Sequence, residues 1–247
     1  METDQTPSPS PQPLTPDPRP LRQQYVRFAF YKVDAAWRGL TVKDKAEARE
    51  EFQQLVQQFG EAMILRSYST VGTRGDCDFL LWQVSYDMDD IHRLASCINS
   101  SHLGRYLSLS YSYLAMTKRS VYIDKHVHEG QEGQIRTVRP TEARYFFVYP
   151  FVKTRQWYRE PYERRQQMMD VHIKVGHKYP SVKLNTTYSF GLDDQEFVVA
   201  FETDQPQDFL DLVMELRESE SSLFTLRDTP IFTCIQMPLS ECLAALG

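Results

Sequence analysis

An internal repeat constrains the fold of this chain more than any other feature of its sequence. Landmark residues recur at a spacing of about 119 positions. The matched segments are Tyr68-Ser69 and Tyr188-Ser189, Gly72 and Gly191, and Phe79-Leu80-Leu81 and Phe197-Val198-Val199. A period of this length indicates two copies of one supersecondary unit within a single chain.

Hydrophobic periodicity predicts the same element order, β-α-β-β-α-β, in each copy. In the first copy, we predict strands at 25–33, 62–71, 79–86 and 106–116, and helices at 42–59 and 87–99. In the second copy, we predict strands at 144–152, 182–190, 197–203 and 223–234, and helices at 160–176 and from Asp204 to about Arg217, with Asp204 as the capping residue. Two ferredoxin-like units of this kind predict an α+β fold whose sheets pack together as an intrachain dimeric α+β barrel.

Composition divides the chain into four parts. Residues 1–20 are rich in Pro, Ser and Thr, which predicts a disordered tail and not a secretory signal. The two ferredoxin-like halves should occupy residues 21–118 and 143–247. Residues 119–142 have weak periodicity and predict a long connecting loop.

Charge and hydropathy narrow the function classes. The net charge of −5 argues against a nucleic-acid surface, and no apolar run is long enough to span a bilayer. The four cysteines lack CxxC spacing, which favours reduced thiols in a cytoplasmic protein.

One of the six histidines has an unusual environment. On the predicted helix 160–176, His172 shares a face with Met168, Met169 and Val175. An imidazole on an apolar face needs a partner, because burying it unpaired costs a few kcal/mol. Periodicity alone favours a hydrogen-bonded core histidine over a ligand. His126 and His128, two apart in the connecting loop, make only a weak metal signal.

A set of motifs in the second half favours the ligand interpretation of His172 over a core histidine. The motifs are Tyr-Pro at 149–150, Trp-Tyr at 157–158, Met-Met at 168–169 followed by His172, and Gly-Leu-Asp-Asp at 191–194. Together they resemble the chlorite dismutase-like haem protein family, which includes chlorite O2-lyases and coproheme decarboxylases. The resemblance covers roughly residues 24–240 and agrees with the repeat.

The resemblance implies haem b or coproheme as cofactor, with His172 as the proximal iron ligand. It implies Tyr149 as the radical-forming residue of a decarboxylase, although a strand aromatic that only packs is an equal alternative. Other implied cofactor-binding residues are Lys153, Trp157, Tyr158 and, upstream, Arg136 or Arg139. A carboxylate usually orients such a histidine, and Glu196 or Glu202 are candidates.

The sequence departs from the family at the distal position. Chlorite-degrading members carry an Arg on the strand after the ligand helix, and decarboxylases often carry a Gln. Here the segment reads SVKLNTTY, so the position falls on Leu184, or on Lys183 if the alignment gap lies elsewhere. A leucine gives no hydrogen-bond donor to an oxyanion, which disfavours efficient chlorite chemistry.

Two functions of different class therefore remain. The first is a haem-dependent oxidoreductase that uses peroxide, like a coproheme decarboxylase or a peroxidase. The alternative is a non-catalytic haem-binding, carrier or sensor protein, and a barrel that never binds haem is a third possibility. Expected partners are a porphyrin, peroxide or a small oxyanion, and further copies of the chain, as a pentamer or hexamer by family analogy.

Overall fold

The protein was analysed as a computed structural model, which describes residues 22–122 and 137–247. The first half contains strands β1 (Tyr25–Val33), β2 (Ile64–Ser69), β3 (Phe79–Ser85) and β4 (Leu107–Met116), and helices α1 (Ala35–Arg38), α2 (Val42–Gln58) and α3 (Met88–Ser100). The second half contains strands β5 (Tyr145–Lys153), β6 (Lys183–Tyr188), β7 (Phe197–Thr203), β8 (Thr225–Arg227) and β9 (Phe232–Gln236), and helices α4 (Arg155–Arg159), α5 (Tyr162–Gly176), α6 (Pro206–Glu218) and α7 (Leu239–Ala244).

The strands form one antiparallel sheet that closes on itself. Its order is β7-β6-β4-β1-β3-β2-β9-β5-β8, and a further pairing of β5 with β7 completes the ring. The two halves join where β2 pairs with β9 and where β4 pairs with β6. The α+β class, the duplicated ferredoxin-like units and the barrel are therefore confirmed.

Aromatic side chains fill the interior of the barrel. Phe28, Trp82, Phe146 and Tyr68 are each at most 1% exposed. The ring of Phe146 stacks on Tyr68 at 4.5 Å and on Trp82 at 4.8 Å between centroids. This cluster unites strands of both halves, so each half buries its inner face against the other.

The repeat is visible in backbone geometry as well as in strand order. Helices α2 and α5 begin 120 residues apart, at Val42 and Tyr162. Gly72 and Gly191 follow equivalent strands, with φ angles of +84° and +72°. Glycine adopts this left-handed conformation without the steric cost of a Cβ atom.

Two predicted details of the second half are wrong. Asp204 does not cap α6, because its carboxylate accepts a hydrogen bond from the backbone N–H of Arg144 at 2.8 Å. The helix begins at Pro206 after Gln205. The single strand predicted at 223–234 is a 3₁₀ helix (Glu220–Phe224) followed by two short strands, β8 and β9. Pro230 lies between the two strands and has no N–H for a sheet hydrogen bond.

Some predictions fall outside the described residues. These are the tail at 1–20, the central part of the connecting loop, and with it His126, His128 and Arg136. The short helices α1, α4 and α7 were not predicted, and α7 packs on the helical side of the first half through Leu243. Within residues 22–122 and 137–247, no helix has the length and apolar character needed to cross a membrane.

Candidate functional site

His172 lies on the buried stripe of α5. Met168 and Val175, one turn to either side, are 3% and 8% exposed. Counted from the start of each helix, Phe52 of α2 holds the position that His172 holds in α5, and Phe52 is completely buried. The second half therefore carries a partly buried imidazole where the first half carries a core phenyl ring.

The polar surroundings of His172 are sparse. Its Nδ1 atom lies 3.4 Å from the Ser221 hydroxyl, in the 3₁₀ helix after α6. The Lys153 ammonium donates to the Ser221 carbonyl at 2.8 Å. Among the described residues, the imidazole has no other hydrogen-bond partner, so its second nitrogen is unpaired there.

Burial and charge keep His172 neutral. Desolvation, followed by the nearby positive charge of Lys153, lowers the pKa of His172 to about 4. Burial also lowers the pKa of Lys153 to about 8, and the carboxylate of Glu196 partly opposes that effect. At neutral pH the imidazole is therefore uncharged and can act as a metal ligand through its unpaired nitrogen.

Neither predicted carboxylate contacts His172. Glu196 accepts hydrogen bonds from the Lys153 backbone N–H at 2.8 Å and from the Tyr158 hydroxyl at 2.5 Å. Glu202 accepts from Asn185 at 2.7 Å and from Thr141 at 2.5 Å. Glu196 thus holds the junction of β5 and α4, and Glu202 ties the end of the connecting segment to the barrel.

The sheet face on the helical side presents Tyr149 and Leu184. Cross-strand registers place Tyr149, Val199 and Thr186 in one row across β5, β7 and β6. Leu184 lies in the adjacent row beside Phe201, on which the Tyr149 ring stacks at 6.0 Å.

These two side chains are incompletely covered by the protein. Leu184 is 45% exposed although α5 and α6 lie on its side of the sheet. Burial raises the pKa of Tyr149, so its phenol stays protonated at neutral pH. Within the described residues, no protein group hydrogen-bonds the Tyr149 hydroxyl.

Lys183 lies on the other face of the sheet. Its cross-strand neighbour is Glu202. Because adjacent residues of a strand face opposite sides of the sheet, Lys183 faces away from the helices and Leu184 faces toward them. Its ammonium donates to the Arg139 carbonyl. The structure therefore brings Leu184, and not Lys183, to the side on which α5 lies.

Fewer apolar side chains form a contiguous buried cluster between sheet and helices in the second half. Among the described residues, that cluster has sixteen buried members in the first half and five in the second. Helix α5 makes its main contacts with α6 and with the 3₁₀ helix Glu220–Phe224. An apolar sheet face with an incompletely filled layer above it suits a flat hydrophobic ligand.

Trp157 and Lys153 form one end of this layer. Trp157 is 3% exposed, and the Lys153 ammonium lies 4.5 Å from the centre of its indole ring. The contacts of Tyr158 are with other residues: its hydroxyl donates to Glu196, and its ring packs edge-on against Phe190. The structure thus brings Lys153 and Trp157 into contact with each other and connects Lys153 to His172 through Ser221.

Open clefts of about 400 and 380 Å³ lie elsewhere, on the first half. One is lined by Arg22, Tyr86 and Met116, the other by Phe59, His92 and Cys97. Neither is lined by His172. The candidate site is therefore defined by the incompletely covered sheet face and by the His172 nitrogen that has no partner in the described part of the chain.

Comparison with known proteins identifies the family. A family model described as chlorite dismutase matches residues 45–237, most of the chain. The chain belongs to the chlorite dismutase family. A coproheme decarboxylase from Mycolicibacterium smegmatis is 27% identical over 224 residues, covering 90% of this chain and 94% of the relative.

Solved structures of the family share this fold. A variant chlorite dismutase from Candidatus Nitrospira defluvii superposes with a TM-score of 0.82 at 24% identity, covering 90% of this chain and 95% of the other. A haem-binding protein from Thermus thermophilus gives a TM-score of 0.80 at 26% identity, covering 91% and 95%.

The candidate site also contains residues that sequence reasoning missed. Ser221, which contacts His172, lies between the helix predicted to end at about Arg217 and the strand predicted from residue 223, so nothing marked it as a site residue. Tyr122 was assigned to the connecting loop, yet its ring packs edge-on against Trp157 at 6.3 Å. Both contacts depend on tertiary packing, and neither leaves a periodic signal in the sequence.

The low pKa of His172 predicts a loss of stability in mild acid. The folded protein binds the proton only near pH 4, whereas the unfolded chain binds it near pH 6.5. Between these values the unfolded state holds more protons, so the free energy of unfolding falls as the pH falls. Urea unfolding at pH 7 and pH 4.5 measures this change. Between these pH values we expect the free energy of unfolding to fall by about 1–3 kcal/mol less in His172→Gln than in the parent. An identical pH dependence in parent and variant would contradict the assignment of a depressed pKa.

Proposed function

We propose that this protein binds a haem-type iron porphyrin between α5 and the sheet face of the second half, with His172 as the axial ligand. The observation that carries the proposal is the neutral imidazole, which within the described residues is paired at one nitrogen only, beside a sheet face on which Leu184 is 45% exposed. The decarboxylase relative and the haem-binding structural neighbour support it.

A bound iron porphyrin would supply peroxide-driven oxidation chemistry at this site. His172 would hold the iron from the α5 side. Lys153 keeps a positive charge near His172 at neutral pH, and its ammonium lies over the Trp157 ring. The family resemblance implies that Lys153 lies near the porphyrin carboxylates, and its positive charge would stabilise their negative charge.

We propose Tyr149 as the oxidisable residue of a decarboxylase-like reaction. Its hydroxyl keeps its proton at neutral pH because burial raises the pKa. The phenol lies on the sheet face that α5 and α6 cover, and its oxygen is without a protein partner in the described part of the chain. The hydroxyl of such a phenol can donate a hydrogen bond to a substrate carboxylate, while its ring is held in place by stacking on Phe201.

Leu184 would leave the opposite side of the porphyrin without a charged donor. Strand β6 contains no arginine, and the Lys183 ammonium is directed to Arg139. An apolar side chain offers no hydrogen bond to a hypochlorite-like leaving group, so efficient chlorite conversion is not expected.

A spectroscopic titration tests the proposal directly. Purified protein is mixed with ferric haem b and, separately, with ferric coproheme, and the Soret band is followed. We expect a shifted, saturable band with at least one of the two porphyrins. Peroxide is then added and the porphyrin mass is measured, with loss of propionate carboxyl groups expected for coproheme. Absence of any shifted band would refute the cofactor assignment.

The apolar distal wall also favours a second candidate, a haem carrier or sensor without turnover. Leu184 is 45% exposed and offers no donor to activate peroxide. Tight haem binding with peroxidase turnover no faster than free haem would select this alternative. Chlorite added to the same complex should release little or no O2 in either case. Homo-oligomer formation and a cytoplasmic location stay predictions.

A further inference from the structure

Three hydrogen-bonded groups connect the end of α6 to His172. The Ser219 hydroxyl lies 2.6 Å from the Leu216 carbonyl oxygen. The hydroxyl oxygens of Ser219 and Ser221 are 3.0 Å apart, and the Ser221 oxygen is 3.4 Å from Nδ1 of His172. Ser219 and Ser221 are 8% and 2% exposed, so water does not readily replace these contacts.

Counting hydrogens along this chain decides the direction of each bond. A carbonyl oxygen can only accept, so the single hydrogen of the Ser219 hydroxyl is used on Leu216. The hydrogen between the two serines must then come from Ser221. Because Ser221 has no second hydrogen, its oxygen can only accept at Nδ1 of His172. The reverse direction would leave two oxygen lone pairs facing each other at 2.6 Å.

We infer that Ser219 and Ser221 act as positioning residues that hold His172 in the Nδ1–H tautomer. The nitrogen on the far side of the ring, Nε2, then carries a lone pair in the haem-free protein. This inference deepens the proposed function, on which its purpose rests, because Nε2 is the atom that would bind iron. The tautomer itself is a property of the protein and exists without any porphyrin.

Backbone contacts hold this serine pair in place. The Lys153 ammonium donates to the Ser221 carbonyl at 2.8 Å, and the Ser219 N–H donates to the Leu216 carbonyl. A histidine already in the ligating tautomer needs no proton rearrangement before it binds a metal. Loss of such an orienting partner typically costs about 10–100-fold in metal affinity.

The tautomer can be measured on haem-free protein labelled with ¹⁵N-histidine. Two-bond ¹H–¹⁵N correlation spectra at pH 7 distinguish the two neutral forms, and His172→Gln identifies the His172 signals. We expect the Nδ1–H form in the parent and a shift toward the Nε2–H form in both Ser221→Ala and Ser219→Ala. Ser222→Ala is the matched control, because its hydroxyl donates to the Arg217 carbonyl and not to this chain.

The rate of haem loss provides a second, independent measurement. The rate of haem loss to a scavenging apoprotein should rise about 10–100-fold in Ser221→Ala and stay near the parent value in Ser221→Thr, which keeps a hydroxyl. An Nε2–H form in the parent, or an unchanged tautomer in both serine variants, would overturn the inference. If the Nδ1–H form is found but no porphyrin binds, the proposed function fails and the inferred tautomer stands.

Discussion

Replacing His172 with alanine should abolish specific haem binding. His172 carries the one imidazole of α5 (Tyr162–Gly176), and within the described residues only its Nδ1 atom is hydrogen-bonded. Removing it leaves contacts with the apolar layer but no iron bond from α5. We expect the dissociation constant to rise at least about 100-fold, which corresponds to about 3 kcal/mol. A Soret titration of parent and variant measures the change.

His92→Ala is the matched control for that titration. His92 is exposed on α3 of the first half, so its loss tests whether a surface imidazole contributes to the spectrum. External imidazole should restore a histidine-like Soret band in His172→Ala, since it can enter the space that the side chain vacates. Parent-like haem binding by His172→Ala would disprove the ligand assignment.

Replacing Tyr149 with phenylalanine should stop peroxide-driven coproheme conversion while leaving binding intact. The substitution removes one oxygen and keeps the aromatic ring that stacks on Phe201. The hydroxyl has no hydrogen-bond partner among the described residues, so the fold loses little. We expect the rate of carboxyl loss, measured by porphyrin mass after peroxide addition, to fall at least about 100-fold, or about 3 kcal/mol in the barrier.

Tyr145→Phe is the corresponding control. Tyr145 lies on the same strand and packs against the same apolar cluster, but four residues from Tyr149. It should convert coproheme at the parental rate. If Tyr149→Phe also converts at that rate, Tyr149 is a packing residue, the alternative that the sequence left open. A parent that binds coproheme but never converts it would favour the carrier or sensor function.

The location of His172 shows what pattern can predict. Its spacing from Met168 and Val175 predicted a shared helical face, and in the structure Met168 and Val175 are buried while His172 is partly buried. A helical period fixes which residues share a face, because successive side chains rotate by a constant angle. The same reasoning could not name the partner of Nδ1, since Ser221 lies 49 residues away on a separate segment.

The proposed distal position shows a different limit. The sequence left Leu184 and Lys183 as alternatives, because the segment between His172 and Gly191 is one residue shorter than in the family and the gap can be placed at more than one point. Strand register separated them: Leu184 is in line with Phe201 on the helical side, and Lys183 pairs with Glu202 on the other. Adjacent residues of a strand point to opposite faces, so a one-residue difference decides whether a side chain faces the site.

By itself, the sequence determined the duplicated β-α-β-β-α-β order and the apolar faces, because both follow from local periodicity and from the repeat of landmark residues at about 119 positions. The tertiary structure alone decided how full each layer is, where Glu196 and Glu202 direct their carboxylates, and which hydroxyl meets His172. These properties depend on contacts between segments distant in the chain, and no local pattern records them.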